Sequence, residues 1–220
     1  MHALFIMLQD TDKEAITFME NHQYREPDYW SRKAFSEGYP ARSVYKLQEM
    51  QKKFSLFGKN DKVLDLGAAP GSWTTFLLRF LSPQGRVCAV DLQPLAESVQ
   101  DTRLSFFRGD LTGADTVTAV KNCGPYRAVL CDAAPATTGN KTVDTARSAA
   151  LVEMALYYAE TQLEAQGNFA VKIFQGGNEQ QYLKRMRELF GTARAFKPEA
   201  CRTSSFETYL IGLHFKHTPR

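Results

Sequence analysis

The chain predicts an α/β fold, a mostly parallel sheet with helices on both faces. Three observations carry that expectation. Short runs rich in Val, Leu, Ile and Phe alternate with segments of helical period. The first such run ends in a carboxylate, then in small residues, and then a helical pattern begins. Polar residues recur just after the apolar runs, where open α/β sheets collect their ligands.

The elements follow in order. Asp28 to Met50 is rich in Tyr, Trp, Arg and Lys and reads as a loop leading into a helix through Ser43–Leu47. Strands are predicted at Val63–Leu66, Val87–Val90, Ser105–Phe107, Ala128–Cys131, Phe169–Ile173 and Tyr209–Phe215. Helices are predicted near Trp73–Leu81, Ala114–Lys121, Thr145–Glu164 and Asn178–Phe190, with Asp144 as the N-cap of the third. Glu199 to Thr208 is a polar stretch before the last strand.

The loop Asp65-Leu66-Gly67-Ala68-Ala69-Pro70-Gly71-Ser72-Trp73 excludes the common phosphate binders. It is neither G-x-G-x-x-G nor a P-loop. Pro70 offers no amide hydrogen, and no Lys follows Gly71. Its small residues instead allow backbone to approach a ligand closely. Asp65 opens the loop, and Asp91 stands after the next strand, where a carboxylate accepts hydrogen bonds from ribose hydroxyls. Carboxylates here suit a nucleoside with a positive centre and no phosphates, a description S-adenosylmethionine fits; otherwise both residues cap turns. The other strand ends supply Arg108-Gly109-Asp110-Leu111, Cys131-Asp132-Ala133-Ala134-Pro135 and Val171–Gly176, with Glu207 just ahead of the last strand. Lys172, set among Phe169, Val171, Ile173 and Phe174, must point to the mouth of the sheet or pair with an anion such as Asp132.

At 220 residues the chain fits one α/β domain, with no low-complexity linker or repeat. Its longest apolar runs are too short for a bilayer, so no membrane is expected. The opening Met1–Leu8 lacks the basic start and cleavage site of a signal sequence and reads as a local strand, a helix start or an over-long gene start. Four cysteines without a C-x-x-C pair suit buried thiols in a reducing cytoplasm, and four scattered histidines give no metal-ligand spacing, so no metal is expected. Net charge is only +3, but its distribution is uneven. His22–Asn60 has eight Lys/Arg against four Asp/Glu, and Lys184–Arg220 has eight against three, while Asp61–Leu183 has ten against thirteen. Basic flanks around an acidic centre suit a polyanion lying across the site, or are solvated helix faces. Tyr24, Tyr29, Trp30, Phe35 and Tyr39 either stack on unpaired bases or pack the N-terminal segment onto the sheet.

Taken together, Ala41–Leu47, Asp65–Trp73, Asp91-Leu92, Gly109-Asp110, Cys131–Pro135, Val171–Gly176 and Glu207-Thr208-Tyr209 resemble the FtsJ/RrmJ family of RNA ribose 2′-O-methyltransferases over about Glu37 to Phe215. The resemblance implies a Rossmann-like S-adenosylmethionine-dependent methyltransferase fold, a mostly parallel seven-stranded sheet with an antiparallel strand near the C-terminus. It implies Lys46, Asp132, Lys172 and Glu207 as a catalytic tetrad, and Gly67, Ala68, Pro70, Gly71, Trp73, Asp91, Leu92, Asp110, Leu111 and Asp132 as cofactor contacts. It divides the chain into an RNA-contacting N-terminal extension (1–36), a methyltransferase domain (37–216) and a tail (217–220). The implied substrate is RNA, a uridine in the A loop of 23S rRNA within the large ribosomal subunit, met by a cytoplasmic monomer. A tRNA or cap ribose, and a non-catalytic RNA-binding or ribosome-assembly role, are the alternatives. Base methylation is disfavoured because no N-P-P-Y or D-P-P-Y segment occurs. Ser72 replaces a usual Gly, and Ala136–Gly139 and Tyr39–Arg42 also depart from the family pattern.

Overall fold

In a computed structural model, residues 28–176, 178–201 and 205–216 are described. The expectations for Met1–Leu8, Tyr24 and the tail therefore lie outside the described residues. The helices are α1 (Tyr29–Ser36), α2 (Val44–Phe54), α3 (Ser72–Phe80), α4 (Ala114–Cys123), α5 (Lys141–Gln162) and α6 (Glu179–Leu189). The strands are β1 (Lys62–Leu66), β2 (Arg86–Asp91), β3 (Leu104–Arg108), β4 (Tyr126–Cys131), β5 (Leu163–Phe174), β6 (Phe190–Phe196) and β7 (Glu207–Phe215).

They form one seven-stranded sheet in the order β3-β2-β1-β4-β5-β7-β6. β1 pairs in parallel with both β2 and β4, and β7 runs antiparallel between β5 and β6. The predicted fold class, with its antiparallel C-terminal strand, is what the chain adopts. Strand order reverses between β1 and β4, and that reversal opens a crevice at their carboxyl ends.

Alternation along the strands sorts side chains into two cores. Leu64, Leu66, Val129, Cys131 and Val171 face α4, α5 and α6 through Val120, Val152, Leu156 and Met186. Val63, Ala89, Leu130 and Ala170 face α2 and α3 through Leu47, Met50, Trp73 and Leu77. Both faces of the central strands are thus buried, which is why they read as continuous apolar runs.

Three local expectations are corrected. The segment before Ser43 holds a helix, α1, started by Asp28 Oδ1, which accepts from Ser31 N at 2.8 Å. Phe190–Phe196 is a strand, not only the end of a helix; it pairs on one side alone, with β7, and has few buried positions to betray it. The N-cap of α5 is Asn140, whose side chain accepts from the Thr142 and Val143 amides. Asp144 sits one turn later and accepts instead from the Thr138 and Gly139 amides, so it ties the preceding loop to the helix.

Candidate active site

Five strand ends and one helix build a cleft of about 710 Å³, with Lys172 as the contribution of β5. Gly67 and Ala69 follow β1, Asp91 and Leu92 end β2, Gly109–Leu111 follow β3, and Asp132–Ala136 follow β4. Gly67 has φ +74°, and a Cβ there would lie 2.5 Å from the Ala133 backbone, so only glycine lets these two loops meet. Asp91 does two jobs: one oxygen accepts from Ala69 N at 2.9 Å, and the other from Gln93 N at 2.8 Å. Its turn-capping and its place on the cleft wall are therefore compatible. Asp110 is fixed in the same way by the Thr112 amide and hydroxyl, and these bonds hold its carboxyl below its ordinary range.

Of the predicted cofactor contacts, Gly67, Asp91, Leu92, Asp110, Leu111 and Asp132 line this cleft. Ala68, Pro70, Gly71 and Trp73 are not among its lining residues. Trp73 is buried, its Nε1 donates to Ser43 O at 2.8 Å, and its ring lies 6.0 Å from that of Tyr209. The far wall comes from α5, through Arg147, Ala150, Leu151 and Met154. Sequence reasoning missed this wall, although the i, i+3, i+4, i+7 spacing marks one helix face.

At the edge of the cleft stand two ion pairs. Lys172 Nζ lies 3.0 Å from Asp132 Oδ1 and donates to Asp132 O at 2.5 Å. Lys46, from α2, is bonded to Glu207, the first residue of β7. Lys172 is cross-strand from Tyr209, whose hydroxyl donates to Asp132 Oδ1 at 2.6 Å. The antiparallel β7 is what brings its own start, Glu207, to the carboxyl end of β5. Lys172 thus meets both sequence expectations, facing the mouth of the sheet and pairing with Asp132.

Burial alone would raise the Asp132 carboxyl, but Lys172, Lys46 and the Tyr209 hydroxyl outweigh it and hold the group below its ordinary range. Burial alone would lower Lys172, but Asp132 and then Glu207 outweigh it and hold the ammonium above its ordinary range. Tyr209 is pushed well up by burial and by the neighbouring Asp132, so it stays a neutral donor.

α2 and the turn just before it are stapled to the connection before β7. Arg42 Nη2 donates to Ala200 O at 2.6 Å, and Glu49 accepts from the Glu199 and Ala200 amides at 2.7 and 2.8 Å. These contacts lie about one turn to either side of Lys46, so the Lys46–Glu207 pair is braced from both directions.

The sequence pattern of FtsJ-like methyltransferases matches residues 39–215. The chain belongs to the FtsJ-like methyltransferase family. A Treponema denticola protein named ribosomal RNA large subunit methyltransferase E is 69% identical over 90% of this chain and 100% of its own. A protein of the same name from Borreliella afzelii is 42% identical over 86% of this chain and 98% of its own. A solved Plasmodium falciparum ribosomal RNA methyltransferase shares the fold, with a TM-score of 0.69 at 22% identity, covering 80% of this chain and 98% of that one.

The methyl donor of this methyltransferase is S-adenosylmethionine, and the cleft fits it. Asp91, Asp110 and Asp132 make an acidic wall suited to a cationic ligand, while Leu92, Leu111, Leu151 and Met154 offer an apolar wall suited to a purine face. Asp65 lies behind the loop, fully buried, accepting from Thr74 Oγ1 at 2.7 Å, its other oxygen without a partner among the described residues. It does not reach the cleft.

Burial, reinforced by Asp132 and Asp91, pushes the Asp65 carboxyl up to about 7. A carboxyl raised on folding is fully tolerated below its unfolded pKa near 3.9 and costs stability as pH rises from there to about 7. Asp65→Asn removes that cost. The rise to about 7 is worth about 4 kcal/mol, part of which the unpartnered amide of Asn forfeits. The variant is expected to be about 2 kcal/mol more stable than the parent at pH 8 and no more stable at pH 4. Thermal melts at the two values check this, and an equal effect at both would contradict a buried, proton-binding Asp65.

Proposed function

We propose that this protein methylates the ribose 2′-hydroxyl of a uridine in the A loop of 23S rRNA, in the large ribosomal subunit, as a cytoplasmic monomer. The observation that carries the reading is the pair of buried lysine–carboxylate contacts beside a cofactor cleft. The 69% identity to a protein named for large-subunit ribosomal RNA supports the choice of substrate. Exposed Lys52, Lys53, Lys59, Arg194 and Lys197 supply charge for an RNA backbone.

In this reading Lys46, Asp132, Lys172 and Glu207 are the catalytic residues. Gly67, Asp91, Leu92, Asp110, Leu111 and Asp132 hold the cofactor, while Ala68, Pro70, Gly71 and Trp73 shape the loop behind them. When bound, S-adenosylmethionine supplies an electrophilic methyl on a sulfonium. The protein's task is then to aim the hydroxyl oxygen and manage its proton.

Lys172 has three N–H donors, and Asp132 engages two of them. The third is available to the 2′-oxygen, where it directs a lone pair toward the cleft. A lysine held above its ordinary range acts as a charged orienting group rather than a neutral base. The proton leaves late, to water or to the Asp132 carboxylate, once the oxygen has gained its methyl. Lys46 and Glu207 fix the ribose from the α2 side.

The test uses labelled S-adenosylmethionine with large subunits from cells lacking the modification, and with tRNA. Label in 23S rRNA, in a nuclease-resistant dinucleotide, is expected. Label in tRNA, or no transfer to either RNA, overturns the reading.

A further inference from the structure

We propose that Phe206 and Lys141 form a nucleotide subsite at the mouth of the cleft, with the Phe206 ring stacked on an RNA base and Lys141 on an adjacent phosphate. This rests on the RNA reading above and names contacts that hold the strand beside the reacting ribose.

Phe206 immediately precedes Glu207, yet the residue stays 37% exposed. The Phe174 ring meets it edge-to-face, with centroids 4.7 Å apart and planes at 63°. Its backbone is pinned: Phe206 O accepts from Gln175 N at 2.7 Å, and the neighbouring Ser205 O accepts from Lys197 Nζ at 2.8 Å. A fixed, buttressed and solvent-facing aromatic next to a ribose site is what base stacking requires, and every base has a π-face to offer.

Lys141 opens α5 and is exposed. Its Cε lies 3.6 Å from where a Cβ on Gly176 would sit, one residue beyond Gln175. Lys141 forms no ion pair or side-chain hydrogen bond among the described residues. An aromatic face and an uncommitted ammonium therefore flank the same strand exit, two to four residues past Lys172.

Two measurements test the subsite: binding of a short fluorescein-labelled oligouridylate by anisotropy, and kcat/KM on undermethylated large subunits. Phe206→Ala is expected to weaken both about tenfold, Phe206→Trp to restore both, and Phe206→Leu to behave like the alanine variant. S-adenosylmethionine affinity stays unchanged in all three, which also reports an intact fold. Lys141→Ala is expected to lower the slope of log Kobs against log salt by about 0.7. Parent-like oligouridylate binding by Phe206→Leu, or an unaltered salt slope in Lys141→Ala, overturns the proposal. Failure of the parent protein to methylate large subunits would instead overturn the functional reading, since oligouridylate binding reports on the subsite alone.

Discussion

Replacing Lys172 with alanine slows single-turnover methyl transfer about a thousandfold, within the range typical of losing one positioned proton-handling or orienting group. The parent rate stays flat from about pH 6.5 to about pH 9, because a lysine raised above its ordinary 10.4 remains an ammonium throughout. That raised state follows from the Asp132 carboxylate 3.0 Å away and from Glu207 beyond it. A neutral base would give a different profile: the rate would climb through a lysine-like pKa, and the climb would vanish in Lys172→Ala. Near-parent turnover in the purified variant would remove Lys172 from the proposed catalytic set altogether.

Asp132→Ala should act on stability as well as activity. It strands the ammonium of Lys172, a residue only 7% exposed, and removes the acceptor of the Tyr209 hydroxyl. Breaking a buried pair from one side typically costs about 3–5 kcal/mol, whereas removing both partners is often neutral. Asp132→Ala with Lys172→Met is therefore expected to recover most of the stability and none of the activity. The pair is worth most in a wide plateau. Asp132 is lowered on folding, so its contribution is present above about pH 4 and fades as pH falls through the folded value. Lys172 is raised, so its contribution is present below about pH 10 and fades as pH rises through the folded value. Urea unfolding at pH 7 measures both variants. A loss below about 1 kcal/mol in Asp132→Ala would mean that water already satisfies the lysine.

Much of this was readable from the chain, for a physical reason. Central strands buried on both faces cannot alternate, so β1, β2, β4 and β5 announce themselves as apolar runs. Their ends, with that of β3, coincide with Gly67, Asp91, Asp110, Asp132 and Lys172, where open α/β sheets collect their ligands. β6 escaped because it is held on one side only, and α1 because its eight residues bury Ala34 alone. Asn140 and Asp144 are both competent caps one turn apart, and only the three-dimensional path of the loop decides between them. The site shows the same limit. Lys46 and Glu207 are 161 residues apart, and Tyr209 reaches Asp132 across 77, so no local pattern reports these bonds. Trp73 sits in the loop motif, yet its indole turns inward to Ser43.

The place of β7 has a consequence for the order in which the molecule can mature. It is the last strand among the described residues, yet it lies inside the sheet, and β6 joins the sheet only through it. During synthesis the first five strands can pair as they emerge, while β6 must wait for residues beyond 207. Glu207 and Tyr209 arrive with that same closing strand. In the proposed reading the cofactor cleft is therefore complete before the ribose-facing half exists, and a nascent chain could hold its methyl donor before it is able to spend it.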